Sequence, residues 1–454
     1  MMESFFNPKS VAIIGASRTP NKLGHVIFEN FIRNFGGKTY PVNVDTTPIS
    51  SREVFPSVKK IPDKVDLAVI VIPAASVPKV LKECVEKKIE SVIIISAGFS
   101  EIGKEGKALE ETCKKIIKGS KTRVIGPNVI GIYDSSTNVD TLFLSRERMG
   151  RPKQGSISFI SQSGAVGSTI LDWLSEEKIG IAKFISYGNA MDVNETDLIE
   201  FLGKDEKTKV IVVYLEGIKS EGKKFIDTLK RITRIKPVII LKSGKTEKGT
   251  KAVASHTGSL AGSAKIYSSV FKQTGVVEAN SWEELFDFAR AFSQPVPKSN
   301  RVVIITDGGG FGVLATDECE RQKLQLPEPS EKLKNNLKNK FPSYIILHNP
   351  IDLTGDATAE RYRIALEGCL SSKEYDGVIA ITLFQVPTLE EKITEILIEM
   401  KKFRKPILCC ATGGRFTRRL SEILESNGIP VYSSPERAVR SFNSLVKYAN
   451  WLKK

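Results

Sequence analysis

Short runs of β-branched and aliphatic residues recur along the chain, and longer stretches whose apolar residues have helical spacing separate them. An uninterrupted apolar run of this kind predicts a strand buried on both faces, and an amphipathic stretch predicts a helix that covers one face. A chain that alternates the two favours doubly wound domains with parallel sheets. In such domains ligands bind at the carboxyl ends of the strands, so candidate chemistry is expected there.

The predicted strands form three groups, which define three predicted domains at residues 1–130, 131–294 and 299–454. Pro295 and Pro297 break any helix at the second boundary. The predicted fold class is therefore α/β, with three doubly wound domains. The strands are expected at Val11–Ile14, Tyr40–Val44, Leu67–Ile72, Val92–Ser96 and Arg123–Ile125, then at Ser156–Ile160, Ile181–Ile185, Val210–Leu215 and Val238–Leu241, and finally at Val302–Thr306, Gly377–Leu383, Pro406–Cys410 and Pro430–Tyr432.

Composition and cysteine usage predict the cellular location of the protein. No apolar run approaches the length of a membrane span, and Met1–Pro8 lacks the basic and apolar regions of a signal peptide. The six cysteines have neither disulfide nor zinc spacing, which favours a reducing cytoplasm. We therefore expect a cytoplasmic protein with no membrane partner and no metal site in this chain.

The net charge of +15, from 67 Lys and Arg against 52 Asp and Glu, could indicate nucleic-acid binding. The lysines, however, are spread over helix-like stretches such as Lys59–Lys64 and Lys332–Lys340, without alternating basic and aromatic residues. We therefore expect no nucleic acid. A polyanionic small ligand or an acidic partner explains the sign equally well.

In the first domain, a Gly-containing turn connects the first strand to a helix. It reads Gly15, Ala16, Ser17 and Arg18, and Lys22 follows just before the helix. Backbone N–H groups and the helix dipole at such a turn favour phosphate. The dinucleotide fingerprint G-x-G-x-x-G is absent, which disfavours NAD. A nucleotide-like ligand is expected here, with a plain tight turn as the alternative.

The second and third domains each contain a similar glycine-containing turn after a strand. Ser161-Gln162-Ser163-Gly164 follows a strand in the second domain, and Gly308-Gly309-Gly310 follows one in the third. Ser163 could be read as a nucleophile, but the G-x-S-x-G pattern is missing. Three successive glycines raise the entropy cost of folding, so close approach of the backbone to a ligand explains them better than packing. Both turns are candidate anion sites.

His256 differs from the other two histidines, His25 and His348, because it lies in a long segment of small residues, 254–262. Such a segment predicts a loop that moves or presents the ring, although a solvated loop histidine is the alternative. An imidazole can accept a phosphoryl group and pass it on. It needs a carboxylate to fix its tautomer, and Glu216, at the end of a predicted strand, could serve. Glu216 could also cap a helix.

Taken together, these features resemble the succinyl-CoA synthetase superfamily, and most closely the α subunits of archaeal ADP-forming acetyl-CoA synthetases. The resemblance covers essentially the whole chain. It rests on six segments in order: V-A-I-I-G-A-S-R at Val11–Arg18, I-S-A-G-F-S-E at Ile95–Glu101, G-P-N-V-I-G at Gly126–Gly131, S-Q-S-G at Ser161–Gly164, S-H-T-G at Ser255–Gly258 and T-D-G-G-G-F-G at Thr306–Gly312.

The resemblance implies a Rossmann-like CoA-binding domain followed by two flavodoxin-like domains. It implies that His256 is phosphorylated and that Glu216 supports it. The implied CoA contacts are Gly15, Ala16, Ser17, Arg18, Lys22, Asn43, Pro73, Ser96, Ala97, Gly98 and Asn128. The implied phosphate contacts are Gln162, Ser163, Gly164, Gly308, Gly309 and Gly310.

The implied reaction converts acyl-CoA, with acetyl-CoA as the expected substrate, ADP and phosphate into a carboxylic acid, ATP and CoA. It would pass through an acyl phosphate and a phosphohistidine. No segment resembles an ATP-grasp domain, so a separate β subunit would bind ADP or ATP with Mg²⁺, in an α2β2 heterotetramer. A non-catalytic sensor of CoA or acyl-CoA is the alternative, since it would need only the first domain's turn.

Overall fold

The computed structural model describes residues 2–257 and 263–454, and for residues 253–257 it describes the backbone only. The chain divides into two compact units, Met1–Glu278 and Ala279–Lys454. Within the described residues, no helix combines the length and the apolar character that crossing a membrane requires.

The first sheet is parallel throughout, with strand order β2-β1-β3-β4-β5. Every residue of β1 is buried, as its apolar sequence predicts. The strands are β1 (Ser10–Ile14), β2 (Lys38–Val42), β3 (Leu67–Ile70), β4 (Ser91–Ile94) and β5 (Arg123–Ile125). The helices of this region are α1 (Glu3–Phe6), α2 (Leu23–Asn34), α3 (Val77–Glu86) and α4 (Lys104–Ile117).

The second sheet has seven strands in the order β12-β11-β10-β8-β9-β6-β7. Its strands β8 to β11 pair in parallel, whereas β6 is antiparallel to β7 and β9. The strands are β6 (Ile132–Asp134), β7 (Val139–Asp140), β8 (Gln154–Ser161), β9 (Ile181–Ser186), β10 (Val210–Leu215), β11 (Val238–Lys242) and β12 (Val277–Ala279). The helices are α5 (Gly164–Glu176), α6 (Glu195–Lys204), α7 (Gly222–Ile232), α8 (Glu247–Thr257) and α9 (Ala264–Thr274).

The second unit contains the third sheet, which is parallel with order β14-β13-β15-β16-β17. The strands are β13 (Val302–Thr306), β14 (Ile351–Asp352), β15 (Gly377–Ile381), β16 (Ile407–Cys410) and β17 (Val431–Tyr432). The helices are α10 (Trp282–Ala291), α11 (Gly309–Arg321), α12 (Glu331–Lys338), α13 (Ala359–Ser371), α14 (Ile393–Glu399), α15 (Arg415–Ser426) and α16 (Pro435–Leu452).

In each sheet, the first strand of the parallel core lies between the second and the third. This is the doubly wound order, so the predicted α/β class is confirmed. Within the first unit, one cluster of buried apolar residues runs from Ile13 of β1 through Ile132 of β6 to Ile160 of β8. The first two sheets therefore share a continuous hydrophobic core.

Two features differ from the sequence-based expectations. The short strands β6, β7, β12 and β14 were not expected, because each contains an acidic residue and so lacks an uninterrupted apolar run. The segment around His256 was expected to be a loop, but α8 continues to Thr257 and places the His256 backbone in its last turn. The rest of the predicted loop, residues 258–262, lies outside the described residues.

The position of α10 bears on the second domain boundary. Asp287 of α10 accepts hydrogen bonds from Arg437 at 2.6 and 2.8 Å, and its carbonyl oxygen accepts one from the Tyr432 hydroxyl at 3.0 Å. These bonds hold α10 in the second unit, which begins at Ala279. A second domain that ends at residue 294 stays a prediction.

Candidate active site

A cavity of about 560 Å³ in the first unit collects residues that follow strands of both its sheets. One side comes from the ends of β4 and β5, and the other from the ends of β8 and β10. The lining residues are Leu23, Ile95, Ser96, Ala97, Glu101, Asn128, Val129, Ile130, Phe143, Gln162, Ser163, Gly164, Ala165, Gly188, Asn189, Glu216 and Lys219.

Three predicted CoA contacts, Ser96, Ala97 and Asn128, line this cavity. They come together because β4 and β5 are neighbouring parallel strands. The backbone N–H of Asn128 donates to the carbonyl oxygen of Ser96 at 3.0 Å, and the Ser96 hydroxyl donates to the carbonyl oxygen of Ile72 at 2.5 Å. They lie at the carboxyl ends of strands, as expected, and their contact with CoA stays a prediction.

The remaining predicted CoA contacts lie around the ends of β1 to β3 and beside β4, and the cavity lining does not include them. Gly15 has a φ of +97°, and a Cβ there would lie 2.2 Å from the carbonyl oxygen of Val71, so this turn requires glycine. The Asn43 amide donates to the Ala16 carbonyl oxygen at 2.7 Å and thereby links the β1 and β2 turns. The others are Ser17, Arg18, Lys22, Pro73 and Gly98.

Arg18 already forms an ion pair with an acidic side chain. Its guanidinium lies 2.5 Å from the Asp45 carboxylate, and both side chains are about half exposed. Hydrogen bonds from Thr47, together with Arg18, hold the pKa of Asp45 below its usual value. A ligand phosphate at Arg18 would therefore compete with Asp45.

Glu101, which the sequence did not single out, occupies the backbone of the predicted Gly98 site. Its carboxylate accepts hydrogen bonds from the N–H groups of Gly98 at 2.6 Å and Phe99 at 3.1 Å. The Asn189 amide donates to it at 2.6 Å. Burial tends to raise the pKa of Glu101, but these hydrogen bonds outweigh burial and lower it. The N–H of Gly98 is therefore already hydrogen-bonded within the protein, and Glu101 adds a negative charge to the cavity.

The anion turn of the second domain lies directly on the cavity. Ser163 caps α5, since its hydroxyl accepts a hydrogen bond from the N–H of Val166 at 3.4 Å. Gln162 is only 5% exposed, and its Oε1 accepts from the N–H groups of Glu216 at 2.7 Å and Gly217 at 3.0 Å. These two hydrogen bonds identify Oε1 as the acceptor of the Gln162 amide, so Nε2 is its donor. Nε2 has no hydrogen-bond partner among the residues that the structure describes. A buried donor left in this state favours an acceptor ligand.

Glu216 stands where the sequence placed it, at the end of β10, and is 5% exposed. Its strand pairs with β8 on one side and β11 on the other. Helix α8, which carries the His256 backbone, follows β11. The His256 side chain lies outside the described residues, so the predicted pairing of His256 with Glu216 stays a prediction.

The predicted turn of the third domain, Gly308 to Gly310, opens α11 in the second unit. No described side chain caps this helix. Two acids lie close by: Asp307 accepts from the N–H of Leu383 at 3.0 Å, and Asp352 Oδ2 lies 2.8 Å from where a Cβ on Gly309 would be. Burial raises the pKa of Asp307 to about 6.

Glu101, Phe143, Asn189 and Lys219 line the cavity and were not anticipated. Glu101 lies within a motif that the sequence analysis used for its glycine, so its carboxylate could have been noticed. Lys219 follows Glu216 by three residues, but one lysine among many gives no signal in the sequence. Among the described residues, no group of three or more His, Cys, Asp or Glu is arranged to hold a metal ion.

The three doubly wound domains correspond in order to the domains of the CoA ligases, which consist of a CoA-binding domain followed by flavodoxin-like domains. Three family models match the chain accordingly. They describe a CoA binding domain over residues 9–135, a succinyl-CoA ligase like flavodoxin domain over residues 154–292, and a Ligase-CoA domain over residues 302–450.

The chain belongs to the family of ADP-forming acetate–CoA ligases, which confirms the resemblance drawn from the six motifs. It is 42% identical to the alpha subunit of ADP-forming acetate–CoA ligase II of Pyrococcus furiosus, over 99% of this chain and 98% of that protein. The solved acetyl-coenzyme A synthetase 1 of Candidatus Korarchaeum cryptofilum, in complex with phosphate and ADP, is 34% identical. The TM-score is 0.93, with 100% of this chain and 98% of that chain covered.

A third relative differs in length. The ADP-forming acetate–CoA ligase I of Archaeoglobus fulgidus is 39% identical over 99% of this chain, but only 64% of that protein is covered. About a third of that relative therefore has no counterpart in this sequence.

Proposed function

We propose that this chain is the alpha subunit of an ADP-forming acyl-CoA synthetase, with acetyl-CoA as the expected acyl donor. The observation that carries the proposal is the shared cavity, which brings Ser96 and Asn128 of the CoA-type domain beside Gln162, Ser163 and Glu216. A thioester held by the first domain and an anion held by the second can then meet in one space. Holding two reactants in contact lowers the barrier by converting a bimolecular step into an effectively unimolecular one.

In the first step, an oxygen of inorganic phosphate attacks the thioester carbonyl carbon. The carbon–sulfur bond breaks, the proton of hydrogen phosphate passes to the sulfur, and acyl phosphate and CoA result. The N-terminus of α5 supplies N–H donors and the positive end of a helix dipole to the phosphate. The Gln162 amide adds a buried donor. Such fixed donors stabilise charge without having to reorganise during the reaction.

In the second step, a ring nitrogen of His256 attacks phosphorus, and the bond from phosphorus to the acyl oxygen breaks. The products are the carboxylate and phosphohistidine. Glu216 would hold the other ring nitrogen and keep the attacking nitrogen unprotonated. In the third step, ADP takes the phosphoryl group and becomes ATP. The Gly308–Gly310 turn would contact the transferring phosphoryl group, as the resemblance implies.

A partner subunit would bind the nucleotide. The Pyrococcus furiosus relative is named as an alpha subunit, and the longer Archaeoglobus fulgidus relative has an additional third. We infer that a separate β subunit of the ATP-grasp type binds ADP or ATP with Mg²⁺. An α2β2 heterotetramer is the assembly that the resemblance implies.

The alternative drawn from the sequence, a non-catalytic sensor of CoA or acyl-CoA, has no support from the relatives, because those reported above are named as ligases or synthetases. The cavity also argues against it. A sensor that only binds CoA has no need of a buried acid and a buried amide donor beside the CoA residues.

The test is formation of phosphohistidine. The purified chain is incubated with acetyl-CoA and radiolabelled phosphate, with and without an ATP-grasp partner subunit. We expect acid-labile, base-stable label on the wild-type chain and none on His256→Ala. His348→Ala is the matched control, because His348 is exposed and pairs with Glu328 in the second unit, so its label should equal that of the wild type.

CoA binding, followed by calorimetry, should be the same for all three proteins. Label on His256→Ala would show that another residue accepts the phosphoryl group. If the wild-type protein binds CoA but takes no label, with or without the partner subunit, the result would favour the non-catalytic sensor.

A further inference from the structure

The loop that follows β10, Glu216–Ser220, is held by side chains along its whole length. Gln162 Oε1 accepts from the N–H groups of Glu216 and Gly217 at 2.7 and 3.0 Å. The Tyr267 hydroxyl accepts from Ile218 at 3.4 Å. Glu195 Oε1 accepts from Lys219 at 3.0 Å and from Ser220 at 2.9 Å. Five consecutive backbone donors are therefore bound by side-chain oxygens.

The three residues that hold the loop are themselves buried. Glu195 is fully buried, Gln162 is 5% exposed and Tyr267 is 8% exposed. Glu195 stands at the first position of α6, and its Oε1 also accepts from the Ser220 hydroxyl at 2.7 Å. Burying a carboxylate is costly unless it is hydrogen-bonded. Oε1 of Glu195 accepts three hydrogen bonds, and Oε2 has no partner among the residues that the structure describes. This arrangement fixes the Glu216–Ser220 loop in one conformation.

The fixed loop presents two side chains of opposite charge to the cavity, Glu216 and Lys219. The cavity also contains the carboxylate of Glu101. Lys219 is the one lysine or arginine among the described residues that line this space. A phosphate dianion that enters a cavity with two carboxylates meets repulsion, which a nearby ammonium group offsets.

We propose that Lys219 binds the inorganic phosphate, together with the α5 N-terminus and Gln162 Nε2, and that Glu195, Gln162 and Tyr267 are positioning residues for Lys219 and Glu216. The identity of the anion rests on the proposed function. The anion site itself rests on the lining of the cavity and on the buried Gln162 donor.

The electrostatics of Lys219 fit this role. Burial against the cavity wall lowers the pKa of Lys219, while Glu110, Glu195 and Glu216 act in the opposite direction. An ammonium group that has lost part of its hydration gains more from a phosphate oxygen than a fully hydrated one does. A lysine also acts as a point charge, so it can neutralise phosphate without bidentate geometry.

The test measures binding of inorganic phosphate to the full chain by calorimetry, without turnover. We expect Lys219→Met to raise the phosphate Kd about 10- to 100-fold, the range for losing a charged hydrogen bond. Lys219→Arg should remain within a few-fold of wild type. Lys223→Met is the matched control, since Lys223 is an exposed lysine outside the cavity lining, and its Kd should not change. Wild-type affinity in Lys219→Met would overturn the assignment.

The positioning role is tested on Glu195. Glu195→Ala removes the acceptor for Lys219 and Ser220, so it should raise the phosphate Kd several-fold although its side chain is not in the cavity lining. Glu195→Gln keeps an Oε1 acceptor and should restore most of the affinity. If Glu195→Ala does not fold, Tyr267→Phe removes only the weaker bond to Ile218 and should give a smaller loss. CoA affinity should be unchanged throughout, and a parallel loss of CoA binding would reduce Glu195 to a general structural role.

These outcomes are independent of the phosphohistidine test. If His256→Ala retains its label but Lys219→Met loses phosphate affinity, the anion site stands and the relay fails. If the wild type is labelled only at His256 and Lys219→Met binds phosphate normally, the relay stands and Lys219 has no part in it.

Discussion

Two glycine-containing turns look alike in the sequence but differ in what surrounds them. The turn at Ser163-Gly164 opens α5 beside the buried donor of Gln162, in a cavity that also contains Lys219. The turn at Gly308–Gly310 opens α11 beside the carboxylates of Asp307 and Asp352. Both helices point a positive dipole end at their turn, so the backbone alone does not distinguish them.

The difference lies in the side chains that share each strand edge. At α5, the cavity also contains the carboxylates of Glu101 and Glu216, but the buried Gln162 donor and the Lys219 ammonium group offset their charge. At α11, Asp352 Oδ2 lies beside Gly309, and Asp307 directly precedes the turn in the chain, so a phosphate there must offset their charge. We therefore infer that the α5 turn is the better site for free inorganic phosphate, and that the α11 turn suits a phosphoryl group already bound covalently to another group.

The largest effect on phosphate affinity should come from replacing the hydrogen-bond donor of Gln162, beside α5, with a negative charge. Gln162→Glu keeps an oxygen for the N–H groups of Glu216 and Gly217 but places a negative charge where Nε2 now lies. Phosphate affinity should fall at least about 100-fold, the size of effect seen when a fixed donor to a developing anion is lost. Calorimetry with inorganic phosphate measures it.

Gln162→Met is the companion variant, because it removes both the donor and the acceptor. It should lose affinity and also loosen the Glu216–Ser220 loop, which would appear as faster hydrogen exchange of those amides. Phosphate binding that survives Gln162→Glu would place the anion at α11 instead and reverse the contrast between the two turns.

The sequence predicted the strands and the turns well but not their electrostatics. Glu216 and Gln162 were found because each follows an apolar strand in a recognisable motif. The bond between them was beyond reach, since 54 residues separate them and only the pairing of β8 with β10 brings them together. Neither Glu195, which begins α6, nor Asp352, which lies in the two-residue strand β14, stood out in the sequence. Side chains contributed by distant strand ends are set by tertiary packing, which local patterns do not contain.

An intermediate effect is expected from the acid at α11. The pKa of Asp307, raised by burial to about 6, exceeds its value in an unfolded chain, so the folded protein binds the extra proton between about pH 4 and pH 6. The stability contribution of Asp307 is therefore present at low pH and is lost as the pH rises through 6. Asp307→Asn should stabilise the third sheet at pH 7.5 by about 2 kcal/mol more than at pH 4.5, at 1.36 kcal/mol per pKa unit over the interval from pH 4.5 to about 6.

Hydrogen exchange of the β13 and β15 amides at the two pH values measures this difference locally, without requiring the whole chain to unfold in one step. The same variant removes one charge from the α11 turn. An equal effect of Asp307→Asn at both pH values would mean that the carboxyl is ionised normally, and the α11 turn would then be still less suited to an anion.

The smallest and most selective effect should come from Gly310→Ala. Gly310 is the second residue of α11, and nothing lies within 4 Å of where its Cβ would be. Alanine should therefore stabilise the helix by about 0.5–1 kcal/mol. If the α11 backbone approaches a phosphoryl group closely, the added methyl group should slow phosphoryl transfer several-fold in the same, more stable protein. Gly309→Ala is the contrasting variant, since its Cβ would lie 2.8 Å from Asp352 Oδ2. A Gly310→Ala protein that is more stable and fully active would show that no ligand approaches this turn, and its three glycines would then need a structural explanation.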